Sequence, residues 1–339
     1  MLGHIPSVSI LVPVRNEEKN IGQCIDKILE NDYPGEKTEI LIIDGESNDS
    51  TSDIVKDYIK LQKGIRLYTN PARTPYTGLN IGLKHATGDI ILRVDARSIV
   101  PRNYIRLCVQ SLLETGADNV GGVQHQIGRT AKQKAIATAL SHPFGVGNAW
   151  FRIGGKSGYV DTVYLGCFRR VLFDRIGNYD DDGPVVSEDS GMNRRIIDAG
   201  GKVYLNKDIV VDYYAKDTFK ELCRQYFIYG GAKAHIFLKY KHLTARRQFV
   251  PIIFILCIIF SLLLSMVDRR FFWLFGGLCG AYIFSDMLCS FWISVIKKKD
   301  MLLFPFLICV FPCIHFPWAI GFIKRVLEGS RATIHWRKK

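Results

Sequence analysis

Two acidic clusters contain the residues best suited to chemistry. Asp95 ends the apolar run in ILRVDARS, and Glu188 and Asp189 open the helix-like run in SEDSGMNRRI. Open α/β sheets bind ligands beyond the carboxyl ends of their strands, which is where Asp95 would lie. A second carboxylate that arrives from a distant segment could serve as a general base. Together the two clusters predict group transfer from an activated, anionic donor.

The elements that would position these clusters alternate between strands and helices. Four short apolar runs predict strands, and amphipathic stretches between them predict helices: VSILVPV, EILIIDG, IRLYTN and DIILRVDA. This order favours a parallel sheet with right-handed crossovers, extended by a fifth strand in NVGGVQHQI. SEDSGMNRRIIDAG has a helical period and ends in a glycine pair. The stretch 142–160 is rich in glycine and aromatic residues and predicts a long loop.

Apolar residues make up 48% of the 339 residues and concentrate after about residue 249. The segments 249–267, 271–296 and 301–323 are long enough to be membrane spans. Within a membrane region of residues 249–326, we predict two spans and a third, re-entrant or interfacial segment. A full third crossing would place the basic tail, residues 327–339, outside the cytoplasm, against the positive-inside rule. Residues 231–248 predict a basic amphipathic helix at the interface.

The formal net charge is +13, and basic residues flank the apolar segments. This distribution favours an anionic membrane surface or a phosphorylated substrate, and we expect no nucleic-acid partner because no nucleic-acid motif accompanies the charge. The nine cysteines include no CxxC pair, which predicts neither a disulfide framework nor a zinc site. We expect a multi-pass protein of the cell membrane whose catalytic part lies in the cytoplasm.

Four motifs, in this order, resemble those of family 2 glycosyltransferases: VSILVPVRNEE, LIIDGESNDST, LNIGLKHATGDIILRVDARS and SEDSGMNRRIIDAGGKVYL. SHPFGVGNAWFRIGG and RQYFIYGGAK narrow the resemblance to the membrane-associated subgroup typified by succinoglycan-type exopolysaccharide glucosyltransferases. The resemblance covers about residues 7 to 230, and we expect a catalytic domain over residues 1–230. It implies a GT-A fold, Rossmann-like with a mostly parallel sheet, followed by C-terminal transmembrane helices.

The resemblance also implies a reaction. A hexose would move from a nucleotide sugar, expected to be UDP-linked, to a polyprenyl-diphosphate-linked saccharide in exopolysaccharide or related glycan synthesis. One alternative is a polyprenyl-phosphate sugar synthase, whose acceptor is a lipid phosphate. Another is a non-catalytic membrane subunit that binds the nucleotide sugar.

On the donor side, the resemblance places the turn after the first strand against the nucleotide. The residues that would line this pocket are Pro13, Arg15, Asn16 and Glu17. A polar turn after a buried strand is the alternative for all four. Asp44 would contact the base, although the family often has two adjacent acids there and Gly45 takes the second place.

The diphosphate and its cation would be held by three further residues. Arg73 could contact the diphosphate, because arginine suits bidentate phosphate binding, or it could be an ordinary surface arginine. Asp95 matches the first acid of the family's DxD motif, which holds the donor ribose and a divalent metal, Mg²⁺ or Mn²⁺. The second acid is replaced by Arg97. Arginine cannot ligate a cation, so the sequence leaves metal dependence open.

On the acceptor side, Asp189 matches the family's general base for inverting transfer, and Glu188 could orient the acceptor. Acids that only stabilise a helix dipole are the alternative. Gln225 lies where processive members have QxxRW, and the missing Arg-Trp favours one sugar per cycle. Gln225 and Tyr229 would contact the acceptor.

Overall fold

The computed structural model describes residues 5–180, 188–240 and 248–329. The contacts divide the chain into two compact units, 1–125 with 150–213 and 126–149 with 214–339, and each unit is described by itself. The expected domain boundary at residue 230 falls inside a continuous helix, Phe219–Tyr240. Residues 241–247 of the expected interfacial helix and residues 330–339 of the basic tail lie outside the described residues.

The strands, numbered in chain order, are β1 Val8–Val14, β2 Thr38–Asp44, β3 Ile65–Thr69, β4 Ile90–Arg93, β5 Ser98–Ile99, β6 Asn119–Ile127, β7 Gly158–Tyr159, β8 Tyr164–Arg169 and β9 Val203–Tyr214. The helices of the first unit are α1 Ile21–Leu29, α2 Thr51–Leu61, α3 Pro75–His85, α4 Tyr104–Thr115, α7 Trp150–Ile153, α8 Val171–Ile176 and α9 Glu188–Asp198. Those of the second unit are α5 Ala131–Leu140, α6 Pro143–Val146, α10 Phe219–Tyr240, α11 Phe249–Leu264, α12 Arg270–Phe291 and α13 Phe304–Glu328.

One nine-stranded sheet forms the centre of the first unit, in the order β3-β2-β1-β4-β8-β6-β9-β5, with β7 beside β9. The strands from β3 to β4 are parallel, as their βαβ connections predict. β8 runs antiparallel to both β4 and β6, and β9 runs antiparallel to β5 and β7. The sheet is therefore mixed rather than mostly parallel, because the chain enters β8 from the opposite direction. This is the GT-A-like arrangement that the motifs imply.

The two faces of the sheet bury two sets of apolar side chains. Ile10 and Leu92 belong to the face covered by α1, α2 and α4. Leu11 and Ile91 belong to the face covered by α3, α8 and α9. Side chains alternate along a strand, so Arg93, two residues after Ile91, lies on the face that α9 covers.

A network of buried amides holds α9 against the sheet. Asn193, on α9, is 1% exposed and donates from Nδ2 to the Thr162 hydroxyl at 3.0 Å. Asn119, on β6, donates to Asn193 Oδ1 at 2.6 Å and accepts from the backbone N–H of Cys167 at 3.2 Å. Buried polar groups bonded in this way fix one position of a helix, since any shift leaves them without partners.

The stretch 142–160 is not the long loop that its composition predicts. It contains α6, α7 and the short strand β7. His142 caps α6, because its Nδ1 accepts from the backbone N–H of Phe144 at 3.2 Å, and Pro143 occupies the first helical position. A capping side chain followed by proline is a helix-start signal, and the glycine content obscured it.

The helices of the second unit pack closely where two glycines meet. A Cβ on Gly230 of α10 would lie 1.9 Å from the Trp318 carbonyl oxygen of α13, and one on Gly321 would lie 2.1 Å from the Phe227 carbonyl oxygen. Glycines at such a crossing let two helix backbones approach each other. The described part of the expected interfacial helix is therefore packed along α13.

Two of the apolar helices are long and apolar enough to cross a membrane, Arg270–Lys297 and Met301–Glu328, each 28 residues long. α11 has 16 residues, or about 24 Å at the helical rise, which is shorter than the bilayer core of about 30 Å. α13 continues through Pro312 and Pro317 as one helix. The helical interruption that these prolines predict does not occur between Phe304 and Glu328. The re-entrant or interfacial course of this segment stays a prediction.

We expect Asn193→Ala to lower the free energy of unfolding by about 1–3 kcal/mol, because Asn119 Nδ2 loses its acceptor and the Thr162 hydroxyl loses its donor. Denaturant unfolding of the detergent-purified protein measures this. The control is Asn48→Ala, whose side chain is exposed, with an expected change within about 0.5 kcal/mol. Equal stability of the two variants would contradict the role given to the network.

Candidate active site

One buried arginine joins the two acidic clusters. Arg93 donates from Nε to Asp95 Oδ1 at 2.8 Å, and its Nη2 lies 2.7 Å from Glu188 Oε1. The side chains of Arg93 and Glu188 are 11% and 8% exposed, whereas that of Asp95 is 29% exposed. The structure thus brings together the two clusters that the sequence singles out, through a residue between them.

The local fold explains why an arginine fits there. Arg93 ends β4 and is paired with Leu11 on β1 and with Gly166 on β8. Paired residues on neighbouring strands project to the same face, so Arg93 shares its face with Leu11. Sequence reasoning missed Arg93, although a charged residue that closes a buried four-residue strand is itself a signal.

The ionisation of Glu188 is affected by its surroundings. Burial raises its pKa, and the neighbouring carboxylates of Asp189 and Asp95 raise it further, while the Arg93 guanidinium opposes the rise. Tyr179 lies close to the same charges, and its pKa is also raised, chiefly by burial. Arg93 is the cation that keeps this group of acids together.

Asp189 lies on the first turn of α9, beside Glu188. Its Oδ1 accepts a hydrogen bond from the backbone N–H of Ser190 at 2.7 Å. The side chain is only partly buried. A carboxylate that is partly exposed, fixed by its own helix and close to a second acid is well placed to accept a proton from a hydroxyl. Residues 185–187, which directly precede Glu188, lie outside the described residues.

Arg97, which stands in the place of the second DxD acid, is paired with Glu17. Its Nε donates to Glu17 Oε1 at 2.7 Å, and its Nη2 lies at the same distance from that oxygen. Burial alone would lower the pKa of Arg97, but the Glu17 carboxylate holds it above its usual value. Two of the residues expected on the donor side are therefore in direct contact.

The turn after β1 is tied to the turn after β2. Asn16 has a left-handed backbone, with φ 53°. Its backbone N–H donates to the Ser47 hydroxyl at 2.9 Å, and its Oδ1 accepts from the Asn48 backbone N–H at 3.0 Å. Asp44 is buried and accepts from the Ser47 hydroxyl at 2.5 Å. Pro13, one residue before the end of β1, is partly buried beside this turn.

Arg15 and Arg73 approach the same place from different segments. A Cβ on Gly45 would lie 3.3 Å from the Arg15 side chain and 3.5 Å from the Arg73 Cα, so a second acid at this position would crowd both. Arg15 Nε is buried without a hydrogen-bond partner among the described residues. Arg73 is half-exposed and paired with Glu46, so a diphosphate contact would require it to change partners.

The expected divalent metal can be compared with the ligand atoms that the side chains offer. In the described ranges, no three His, Cys, Asp or Glu side chains group to hold an ion. Asp95 offers a partly exposed carboxylate, of which one oxygen accepts from Arg93. Mg²⁺ is commonly bound by one or two carboxylates together with substrate phosphates and water. The residues present fit an ion of that kind, with Asp95 as the protein ligand.

The expected acceptor residues belong to the second unit. Gln225 and Tyr229 lie one turn apart on α10, and Gln225 Nε2 donates to the Tyr229 hydroxyl at 2.7 Å. Together they form one polar pair on the helix.

Comparison with known proteins identifies the fold and the chemistry. Residues 9–174 match the family model described as glycosyl transferase family 2. The dolichyl N-acetyl-alpha-D-glucosaminyl phosphate 3-beta-D-2,3-diacetamido-2,3-dideoxy-beta-D-glucuronosyltransferase of Methanococcus voltae is 26% identical over 334 residues, which cover 95% of this chain and 98% of that protein. The succinoglycan biosynthesis protein ExoA of Rhizobium meliloti (strain 1021) is 26% identical over 324 residues, which cover 95% and 96%.

Among solved structures, the mannosyltransferase PcManGT of Pyrobaculum calidifontis, in complex with GDP-Man and Mn²⁺, is similar with a TM-score of 0.62. The match is 18% identical and covers 96% of this chain and 88% of that one, so it supports the fold. The resemblance drawn from the motifs is confirmed. The chain carries a glycosyl transferase family 2 domain on a GT-A-like fold, and it is a glycosyltransferase.

Proposed function

We propose that this glycosyltransferase inverts the anomeric centre and moves a hexose from a UDP-sugar to a polyprenyl-diphosphate-linked saccharide, for exopolysaccharide or a related glycan. The observation that supports this most is the Arg93-centred cluster, in which the donor-side Asp95 and the helix turn with Glu188 and Asp189 share one end of the sheet. An inverting reaction needs a donor site and a single base side by side.

On the donor side, Asp95 would bind the ribose and serve as the protein ligand of a divalent cation. Such a cation, Mg²⁺ or Mn²⁺, would offset the negative charge that grows on the leaving diphosphate. The nucleotide would be held by the turn of Pro13, Arg15, Asn16 and Glu17, and Asp44 would contact the nucleotide base. The bonds between this turn and Ser47 and Asn48 support a fixed pocket wall.

For the transfer itself, Asp189 would accept the proton of the acceptor hydroxyl as that oxygen attacks the anomeric carbon. The bond to the leaving phosphate oxygen breaks on the opposite face of the sugar. Glu188 would orient the acceptor from its place beside Asp189. Arg97, held by Glu17, and Arg73, held by Glu46, would meet the diphosphate as it arrives.

The lipid-linked acceptor is supported by the relatives and by the apolar helices. The name of the M. voltae relative specifies a dolichyl-phosphate-linked sugar as the acceptor of that enzyme. α11 and α12 expose many large apolar side chains, among them Phe260, Leu263, Phe272, Trp273 and Phe284. Apolar surface of this extent marks a membrane or protein interface. Gln225 and Tyr229 on α10 would contact the acceptor.

For the membrane path, we propose a multi-pass protein of the cell membrane with the catalytic domain in the cytoplasm. α12 and α13 have the length to cross, and α11 would lie more shallowly or in a locally thinned bilayer. The first unit has no comparable apolar helix among its described residues.

We expect Asp189→Asn to lower kcat for sugar transfer by about 10²–10⁴-fold, because the amide cannot accept the acceptor proton. The measurement is UDP release by detergent-purified protein over panels of UDP- and GDP-sugars and of lipid-phosphate and lipid-diphosphate acceptors. The exposed Asp57→Asn is the control and should keep full activity.

A polyprenyl-phosphate sugar synthase would give a different result. Its acceptor is already an anion and needs no strong base. If Asp189→Asn transferred the sugar to polyprenyl phosphate at the wild-type rate, the acceptor would be polyprenyl phosphate and not a lipid-linked saccharide.

We expect removal of divalent cations with a chelator to lower transfer by at least about 100-fold, since a cation contributes several kcal/mol to charge stabilisation at the leaving group. Added Mn²⁺ or Mg²⁺ should restore it in the wild type and much less in Asp95→Asn. Full activity in the chelated enzyme would show that the arginines alone neutralise the diphosphate.

A further inference from the structure

We propose that Arg93 is a positioning residue that holds donor-binding Asp95 and the acceptor-side turn of α9 at a fixed separation. The inference rests on the proposed function, because it assigns Asp95 to the donor and Glu188 with Asp189 to the acceptor. Neither the motifs nor the relatives' names give this arginine a role.

The geometry requires a guanidinium. Arg93 uses Nε for Asp95 and Nη2 for Glu188, at 2.8 and 2.7 Å, so two carboxylates from distant segments are bonded to one planar group. A lysine at this place would present a single point charge on a flexible stem and could hold only one of the two acids well. The arginine itself is held in place, because it ends a buried strand and bonds to a carboxylate on each side.

The charges around Arg93 also support a positioning role. Asp95, Glu188 and Asp189 all act on Arg93, and Tyr179 lies near the same group. Without the guanidinium, the carboxylates of Asp95 and Glu188 would repel each other in a partly desolvated site, and α9 would lose its ionic contact with β4. Misplacing a reacting group by about 1 Å can lower a rate by about 10²-fold. The position of α9 therefore bears directly on the rate.

A purely structural ion pair is the alternative role for Arg93, and kinetic measurements distinguish it from a positioning role. Loss of a structural pair would lower the amount of folded enzyme and leave kcat per folded molecule unchanged. Loss of a positioning residue would lower kcat per folded molecule. The effect should depend on Glu188, since two residues that act as a unit give non-additive losses.

The experiment measures kcat, donor KM and thermal midpoint for Arg93→Met, Arg93→Lys, Glu188→Gln and the double variant Arg93→Met/Glu188→Gln. We expect Arg93→Met to lower kcat by about 10²-fold, with a smaller change in donor KM, and Arg93→Lys to recover part of it. The loss in the double variant should be clearly smaller than the product of the two single losses. The control is Arg106→Met, which breaks the surface pair with Asp32 and should not change kcat.

A second arm uses chemical rescue. Free guanidinium at sub-denaturing concentration should raise kcat of Arg93→Ala, where it can occupy the vacated space, and equal concentrations of sodium chloride or urea should not. Arg106→Ala should show no such response.

The outcomes are distinct. Multiplicative losses in the double variant, or a thermal midpoint that accounts for all lost activity, would overturn the positioning role. Wild-type protein without turnover on any donor and acceptor would count against the proposed function. In that case the thermal midpoints still decide whether Arg93 links the two acids: Arg93→Met should be more destabilising in the wild-type background than in Glu188→Gln, and equal effects would refute the inference.

Discussion

The site depends on one constraint, which is that the negative charge of the buried Glu188 and of its partly exposed neighbours Asp95 and Asp189 must be compensated. Glu188 is nearly fully buried next to Asp189, and Asp95 lies across from both. Removing one partner from such a buried pair leaves an uncompensated charge, which costs far more than the pair contributes to stability. The guanidinium of Arg93 removes that difficulty, and so the first turn of α9 can approach the end of β4. The amide network around Asn193 holds the rest of α9 to the sheet without adding charge.

The charge balance of the donor edge bears on the cation. Four arginines lie there, Arg15, Arg73, Arg93 and Arg97, and two of them are paired with Glu46 and Glu17. The donor-side acids are those two together with Asp44 and Asp95, and Glu188 on the acceptor side shares Arg93 with Asp95, so the guanidinium groups are not in excess over the carboxylates. A diphosphate would add further negative charge to a region that has no positive surplus. Because Glu17 pairs with Arg97, the replacement of the second DxD acid is compatible with the proposed use of a cation.

Local sequence was enough for the parts of the fold governed by local pattern. Hydrophobic periodicity predicts the first four strands, the helix that begins near Glu188 and the apolar C-terminal segments. The order of the motifs led to the correct family. Long-range pairing could not be predicted in the same way. The antiparallel position of β8 and the contact between Arg93 and Glu188 depend on which strands become neighbours. Glycine gave a misleading signal in the stretch 142–160, whose composition predicts a loop although it contains α6, α7 and β7.

In the second unit, too, satisfied hydrogen bonds fix the positions of helices, here among apolar side chains. His315 on α13 is bonded through both ring nitrogens, to the Tyr282 hydroxyl of α12 at 2.9 Å and to the Phe144 carbonyl oxygen of α6 at 2.8 Å. A buried imidazole needs both partners, because an unmet nitrogen among apolar side chains would be costly. This bond set ties the short α6 to two long helices, while Gly230 and Gly321 bring α10 against α13. Backbone contacts and satisfied polar groups both fix helix positions, so the described part of α10 is packed along α13, and its expected place at a membrane interface stays a prediction.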